Sequence, residues 1–235
     1  MGIRTAGQPA YQSLADGLRT QITSGKLRPG DRLPTEPQLC AQSGLSRSTV
    51  REALRLLTSQ HLIVTTRGVT GGSFVAEPSA SKLAETLESG LGMLVANGNL
   101  KGAHLVEVRA MLEVPAAELA ATRRTDAHLA ELTAALFDPA DDVDAILQAI
   151  RAFHTTMAAA AGNPLLLLIC KPLYAPVNER ELTLKAPEGH LQRVDAEHRE
   201  ILAAVQARDA PRAAAVTRAH LDHLRATFEH SQLRL

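Results

Sequence analysis

The residues with the clearest chemistry open one short segment, Ser46-Arg47-Ser48-Thr49-Val50-Arg51, just past Gly44. On the first turns of an α-helix, guanidinium and hydroxyl groups reach the base edges and phosphates of the DNA major groove together. Gly44 has the conformational freedom that a turn between two helices needs, and Ser46 is placed to cap the amides that open the second. Val50, Ala53, Leu54 and Leu57 recur at helical spacing and predict a buried face, which leaves Arg47, Arg51 and Arg55 pointing outward. An arginine stripe by itself is an ordinary solvated face. Its conjunction with a turn glycine, a capping serine and interleaved hydroxyls points instead to a helix-turn-helix that reads duplex DNA. Arg47 or Arg51 would bond guanine bidentately or hold phosphate, with Ser48 and Thr49 on phosphate.

A second set of candidate groups is the histidines, eight of nine of which follow residue 79. His154 lies after Phe153, His198 between Glu197 and Arg199, and His220 before Leu221, each on a separate predicted helix. Imidazoles from three helices of a bundle can converge on one interior point and bind Zn, Ni, Cu or Fe. Taken one at a time, each reads as a surface or hydrogen-bonded core histidine, and spacing does not choose between the readings. His104, His128, His190, His223 and His230 receive the plain reading.

The elements that must position these groups follow from periodicity. Leu14, Leu18 and Ile22 form a stripe that predicts a helix over Tyr11–Ser24, closed at Gly25; a Pro29-Gly30 turn leads to helices over Thr35–Ser43 and Ser46–Ser59. His61–Arg67 is rich in β-branched residues, Gly68–Gly72 is a turn, and Ser73–Ala76 is again extended, so a hairpin wing is predicted. Arg67 sits on this wing, Gly71 and Gly72 would let its backbone approach the minor groove, and Thr70 or Ser73 would hydrogen-bond there; His61 belongs to the helix-to-wing junction. Glu77-Pro78-Ser79 breaks both patterns. The expected organisation is a mostly α chain: residues 1–76 a winged helix-turn-helix, 77–79 a linker and 80–235 an all-α bundle of about six or seven helices. Helices are predicted near 80–96, 102–124, 126–136, 141–161, 165–183, 189–207 and 211–231, with Pro211 in a first turn and Pro115 kinking or splitting the second.

Composition bounds the function. Residues 1–76 carry nine Lys/Arg against four Asp/Glu, whereas the remainder carries sixteen against twenty-one, so a formal net charge of zero hides a basic first part beside an acidic second one. Two cysteines outside any CxxC arrangement exclude a disulfide framework and a zinc ribbon. An aromatic content of 3% without tryptophan disfavours single-strand binding on stacked rings. The longest apolar run, Leu165–Cys170, is far short of the roughly 20 residues that span a bilayer, and no charged-then-apolar leader opens the chain, so a soluble cytoplasmic protein with reduced thiols is expected.

The order of motifs resembles the GntR superfamily of bacterial transcription regulators. The matching residues are Gly25-Lys-Leu-Arg-Pro-Gly-Asp-Arg-Leu-Pro-Thr-Glu36, Gly44-Leu-Ser-Arg-Ser-Thr-Val-Arg-Glu-Ala-Leu54 and Gly68-Val-Thr-Gly-Gly-Ser-Phe-Val75. The resemblance implies a winged helix in which Arg47, Ser48, Thr49, Arg51 and the wing glycines contact DNA. Many relatives carry arginine where Pro37 stands, so one DNA contact is expected to be missing.

Residues 80–230 are similar to the FCD effector domain of the FadR-type branch, through Glu107-Val-Arg-Ala-Met-Leu-Glu113, Phe153-His154, Gly162-Asn163, Glu197-His198-Arg199 and His220-Leu221. That resemblance implies an all-α effector-binding and dimerisation domain whose central pocket often holds a divalent metal on one Asp and three His. His154, His198 and His220 match the histidines, while Ile150 stands at the aspartate position. Zn or Ni would then sit on three imidazoles, with water or an effector carboxylate in the open positions. Asp195 is a candidate for orienting an imidazole, and Arg109 and Asn163 for effector contact; for Arg109 a structural ion pair is the competing reading.

These readings together predict a ligand-responsive transcription regulator, a repressor that binds a palindromic operator as a homodimer and is released by an organic acid, sugar acid or acyl compound. The alternative is a metal-dependent enzyme housed in the helical bundle. The sequence has neither HExxH nor a pair of Glu-x-x-His motifs nor a phosphate-binding glycine loop. A nucleoid-like DNA architect would leave the acidic second part unexplained.

Overall fold

A computed structural model describes residues 7–68, 71–174, 183–184 and 186–230. The chain divides into two compact units, Met1–Ser79 and Ala80–Leu235.

In the first unit, α1 (Ala10–Thr23), α2 (Glu36–Ser43) and α3 (Arg47–Ser59) are followed by β1 (Ile63–Thr66) and β2 (Gly72–Val75). The strands pair antiparallel with Ile63 opposite Val75 and Thr66 opposite Gly72, and Arg32 makes a further bridge to Phe74. Ala15, Leu18, Leu33, Leu39, Val50, Ala53, Leu54, Leu57, Ile63 and Val75 form one buried core. Each predicted apolar position of α3 is in it, which is why the helix presents its arginines to solvent. Strand β1 begins at Ile63 rather than at His61, because His61 takes a left-handed conformation (φ 57°) and its N–H bonds the Thr58 carbonyl in the turn that closes α3. His61 is thus at the junction, as expected, and Thr70 lies outside the described residues.

The second unit contains α4 (Ala80–Ala96), α5 (Gly102–Arg123), α6 (Asp126–Ala134), α7 (Val143–Ala160), α8 (Pro164–Cys170), the 3-10 turn Lys171–Tyr174, α9 (His190–Gln206) and α10 (Ala210–His230). Helix α5 is central: it lies along α10 and also packs on α7 and α9. Small residues make this close approach possible, since Ala116, Ala117, Ala120 and Ala121 of α5 are all buried.

Two expectations need correction. Of the two outcomes expected at Pro115, kinking or splitting, the second does not occur; α5 continues through it, with Val114, Ala116 and Ala117 buried. The helical hydrogen bond that Pro115 cannot donate is the one to the Met111 carbonyl. The helix predicted over 165–183 stops as an α-helix at Cys170, because Pro172 has no N–H to continue the ladder and the chain tightens into the 3-10 turn. The part of that prediction over 175–182 lies outside the described residues.

Candidate functional site

The recognition segment is built as its residue types dictate. Gly44 closes α2 at φ 71°, a left-handed conformation that only glycine adopts without strain. Two residues later Ser46 caps α3: its hydroxyl accepts the Thr49 N–H at 3.2 Å and lies 2.8 Å from the hydroxyls of both Ser48 and Thr49. Arg47, Ser48 and Arg51 are exposed and Thr49 is half-buried, whereas Val50, Ala53 and Leu54 are buried. Arg55 continues the stripe and pairs with Glu52 at 3.5 Å. The result is a positive face on the amino-terminal turns of a capped helix, suited to a groove lined with phosphates. Pro37 occupies the first turn of α2, where a proline is accommodated at no cost in hydrogen bonds.

On the wing, Arg67 is exposed and Thr65 and Ser73 pair their hydroxyls across the strands at 3.2 Å. The glycines are set by close approach within the hairpin. A Cβ on Gly71 would meet the carbonyl oxygens of Thr66 and Gly68, and one on Gly72 would meet the Arg32 guanidinium. Arg32 donates to the Gly71 carbonyl and lies over the Phe74 ring with its Cζ 5.9 Å from the centroid. It braces the wing from the strand-like segment before α2. Sequence reasoning passed over it, since an arginine distant in the chain shows no periodic relation to the hairpin it supports.

In the second unit, His154 of α7, His198 of α9 and His220 of α10 come together. Candidate ligand atoms of the three lie within 4.8 Å of one another, and all three residues are buried. The ring centroids are 5.1 Å apart for His154–His198, 5.5 Å for His154–His220 and 5.0 Å for His198–His220. Glu113 Oε2 is 2.8 Å from His154 Nδ1, and Glu197 Oε2 is 2.7 Å from His220 Nδ1. A carboxylate only accepts, so both Nδ1 atoms carry the proton and both Nε2 atoms keep a free lone pair. Neither Nε2 has a protein partner, nor does either nitrogen of His198. His198 is instead oriented by aromatic packing: Phe153 stacks on it at 4.2 Å and Phe137 meets it edge-on at 6.1 Å.

Electrostatics favour the neutral, ligating form of each ring. Burial pushes His154 below its ordinary value, and Glu113 opposes this only in part. Burial drives His198 well down, with His220 and His154 adding to it. His220 falls to about 4 through burial, against the pull of its bond to Glu197. Burial alone would raise Glu113, but Arg109 and His154 beside it hold its carboxyl at about 2. Glu197 likewise sits at about 2, where burial is outweighed by its bonds to His220 and His223 and by Arg193. Orphaned imidazole nitrogens backed by carboxylates are the donor set that a borderline divalent ion takes, so these residues fit a metal. At the aspartate position Ile150 packs with Phe137, Ile146 and Val194 and offers no ligand.

Other candidates are placed differently. Asp195 pairs with Arg199 at 2.8 Å rather than orienting His198. Arg109 is buried and held by Glu113 at 2.5 Å, with its Cζ 5.3 Å from the centre of the Tyr174 ring. Asn163 is exposed, and its side-chain oxygen caps α8 by accepting the Leu165 and Leu166 N–H groups. Beside His154 is a narrow cavity lined by Glu113, Ala116, Phe153, Met157, Tyr174 and Thr217 among others. Its space is at most about 250 Å³ counting the mouth. The Thr217 hydroxyl is buried there without a hydrogen-bond partner, and the buried Tyr174 hydroxyl has only the Cys170 thiol beside it. Glu113, Glu197, Tyr174 and Thr217 were all missed from sequence; for Glu113 the i, i+4 spacing from Arg109 was the available signal.

The profile of the bacterial regulatory proteins of the gntR family matches residues 10–75, and that of the FCD domain matches residues 104–223. The HTH-type transcriptional regulator LutR of Bacillus subtilis is 32% identical over 211 residues, covering 86% of this chain and 94% of the relative. A protein of Escherichia coli named for regulation of an L-lactate dehydrogenase operon is 28% identical over 230 residues, covering 94% of this chain and 88% of the relative. Among solved structures, Streptococcus agalactiae GntR superposes with a TM-score of 0.53 at 24% identity over 92% of this chain and 99% of that one, a likeness of fold. The chain belongs to the GntR family of bacterial regulatory proteins, in the branch whose second domain is FCD, and is a DNA-binding transcription regulator.

Proposed function

We propose that this regulator is a repressor which occupies a palindromic operator as a homodimer and leaves it when a small carboxylate enters the second unit. It would act in the cytoplasm. Arg47, Ser48, Thr49 and Arg51 read the half-site, with Arg67 and the Gly71–Gly72 backbone following the adjacent groove. A single winged helix spans only a few base pairs, so two-fold pairing supplies the affinity and specificity that an operator needs. His154, His198 and His220 would hold a divalent ion, which when bound supplies positive charge and open positions for a carboxylate. Zinc or nickel suits the three nitrogen donors. Glu113 and Glu197 fix the tautomers of His154 and His220 so that each lone pair points to the shared centre. Arg109 keeps Glu113 ionised, and the apolar shell of Phe137 and Phe153 holds His198.

The observation that carries this reading is the convergence of buried imidazole nitrogens that no protein group satisfies. Unpaired buried polar atoms are costly, and a set of them aimed at one point is accounted for by a ligand. Effector and operator are then coupled by linkage: an effector that prefers the DNA-free form lowers DNA affinity, and operator lowers effector affinity by the same factor. The relative named for an L-lactate dehydrogenase operon favours the small-acid end of the effector range.

The test is to protect DNA taken from beside the gene with purified protein, map the protected bases, and screen small carboxylates for release. Elemental analysis of protein purified without chelator shows whether a metal accompanies it. Protection of two inverted half-sites and release by a carboxylate are expected. Protein without metal that still responds to the acid would assign the imidazoles to direct effector contact.

A further inference from the structure

Arg32 joins the wing to the rest of the first unit. Residues 30–33 run antiparallel beside β2: the Gly30 N–H donates to the Val75 carbonyl at 3.0 Å, the Val75 N–H to that of Asp31 at 2.8 Å and the Leu33 N–H to that of Ser73 at 2.8 Å. This alignment sets Arg32 opposite Phe74, while Leu33, the next residue, turns the other way into the core with Val75. The Arg32 side chain then crosses β2, where it donates to the Gly71 carbonyl and covers the Phe74 ring. Gly72 lies under the guanidinium: a Cβ there would stand 2.8 Å from Arg32 Nε, and the three atoms nearest to it all belong to Arg32. Gly72 is not in a left-handed conformation, so its own backbone would tolerate a side chain, and what stands against one is Arg32. Gly71 differs, since a Cβ there meets backbone atoms.

Resting on the reading that the wing follows the groove beside the recognition helix, we propose that Arg32 is a positioning residue for DNA recognition. Seated over Gly72 and bonded to the Gly71 carbonyl, it fixes the angle at which the wing, with Arg67, meets the duplex. A two-stranded hairpin is only marginally ordered on its own in water. Strands β1 and β2 are four residues long each, and of these residues only Ile63 and Val75, at the end nearest the core, are buried. The opposite end, where Thr66 pairs with Gly72, lacks such an anchor, and it is there that Arg32 acts. A guanidinium suits the task because its planar fork bonds a carbonyl in one direction while its face lies on an aromatic ring. A hairpin already held at that end loses less conformational freedom when DNA orders it, so more of its contact energy appears as affinity. Position 72 is then glycine on account of Arg32, and the two residues act as one unit.

Footprinting and competition binding on the duplex that the full-length parent protects test this with R32A, G72A, R67A and the pairs R32A/G72A and R32A/R67A. R32A and G72A should each bind about tenfold more weakly and lose protection of the bases flanking those that face α3, while protection opposite α3 stays. Added to R32A, neither G72A nor R67A should weaken binding much further, because the first has no guanidinium left to displace and the second no longer meets the groove. G72A moves the guanidinium without deleting it, which keeps the test decisive if R32A folds poorly. Losses from R32A and R67A that simply add would make Arg32 an independent DNA contact and overturn the positioning role. Additive losses from R32A and G72A overturn it as well, since the two positions would then act separately. Equal loss of protection over the whole site, together with a lowered melting temperature in both single variants, would reduce Arg32 to a stabiliser of the unit. A parent that protects only the bases facing α3 overturns the wing reading and the proposal together, and this result is seen before any variant is compared.

Discussion

At the residue scale the two units use polar groups in opposite ways. On α3 the polar atoms are exposed, and Ser46, Ser48 and Thr49 satisfy one another while Arg47 and Arg51 wait for an outside partner. Arg47→Ala or Arg51→Ala should therefore cost about 1–3 kcal/mol of operator discrimination if the side chain reads guanine, with helical content preserved. Competition binding to operator and scrambled duplex checks this; equal loss on both sequences would reassign the residue to phosphate. In the second unit the unsatisfied atoms are buried, and the carboxylates behind them set their geometry. Glu197→Gln should weaken zinc binding by roughly 10–100-fold, measured against a chromogenic chelator, and replacing His154, His198 and His220 together should remove the bound metal. Unaltered zinc affinity in the glutamine variant would show that His220 is oriented by packing alone.

Elements position these residues through their ends and crossings. Helix α3 starts where Ser46 caps it, so Ser46→Ala should destabilise the first unit by about 0.5–2 kcal/mol in denaturant titration and loosen the turn that carries Arg47. The wing depends on glycine for a steric reason, because a Cβ at Gly71 collides with backbone carbonyls that cannot move aside. Gly71→Ala should cost on the order of 1–3 kcal/mol and weaken operator binding through a displaced hairpin, read by thermal melting and footprinting of the wing-side bases. A melting curve identical to the parent's would mean the hairpin rearranges freely. In the helical unit the alanine-rich face of α5 brings α10 close, and α10 carries both His220 and Thr217.

At the scale of the whole molecule the buried imidazoles make stability depend on pH. His220 and His190 both sit at about 4 against an ordinary 6.5, the first through burial and the second through burial and its neighbour His223. Between those values the unfolded chain binds more protons, so their contribution is full above about 6.5 and is lost as pH falls toward about 4. Glu113 and Glu197, held at about 2 against 4.5, add their loss only below pH 4.5. Chelated protein should melt at a lower temperature at pH 5 than at pH 7.5, with a further drop below pH 4.5. A melting temperature flat across pH 5–7.5 would contradict the neutral state of these rings. No helix among the described residues is long and apolar enough to cross a membrane.

What the sequence determined by itself was whatever depends on neighbours along the chain. The cap at Ser46, the left-handed Gly44, the apolar stripe of α3 and the basic and acidic halves are local or additive properties, and the GntR motif order sits in such segments. Its histidines were legible as candidates, and their helices were placed correctly. Tertiary structure alone decided that three of them meet, that Glu113 and Glu197 stand behind two of them, and that Asp195 turns to Arg199 instead. It also decided that Asn163 serves α8 and that Tyr174 and Thr217 face a common cavity. The reason is geometric: helical periodicity fixes which face a residue occupies, but only the crossing of α5, α7, α9 and α10 fixes which faces share an interior, and hydrogen-bond partners are chosen there.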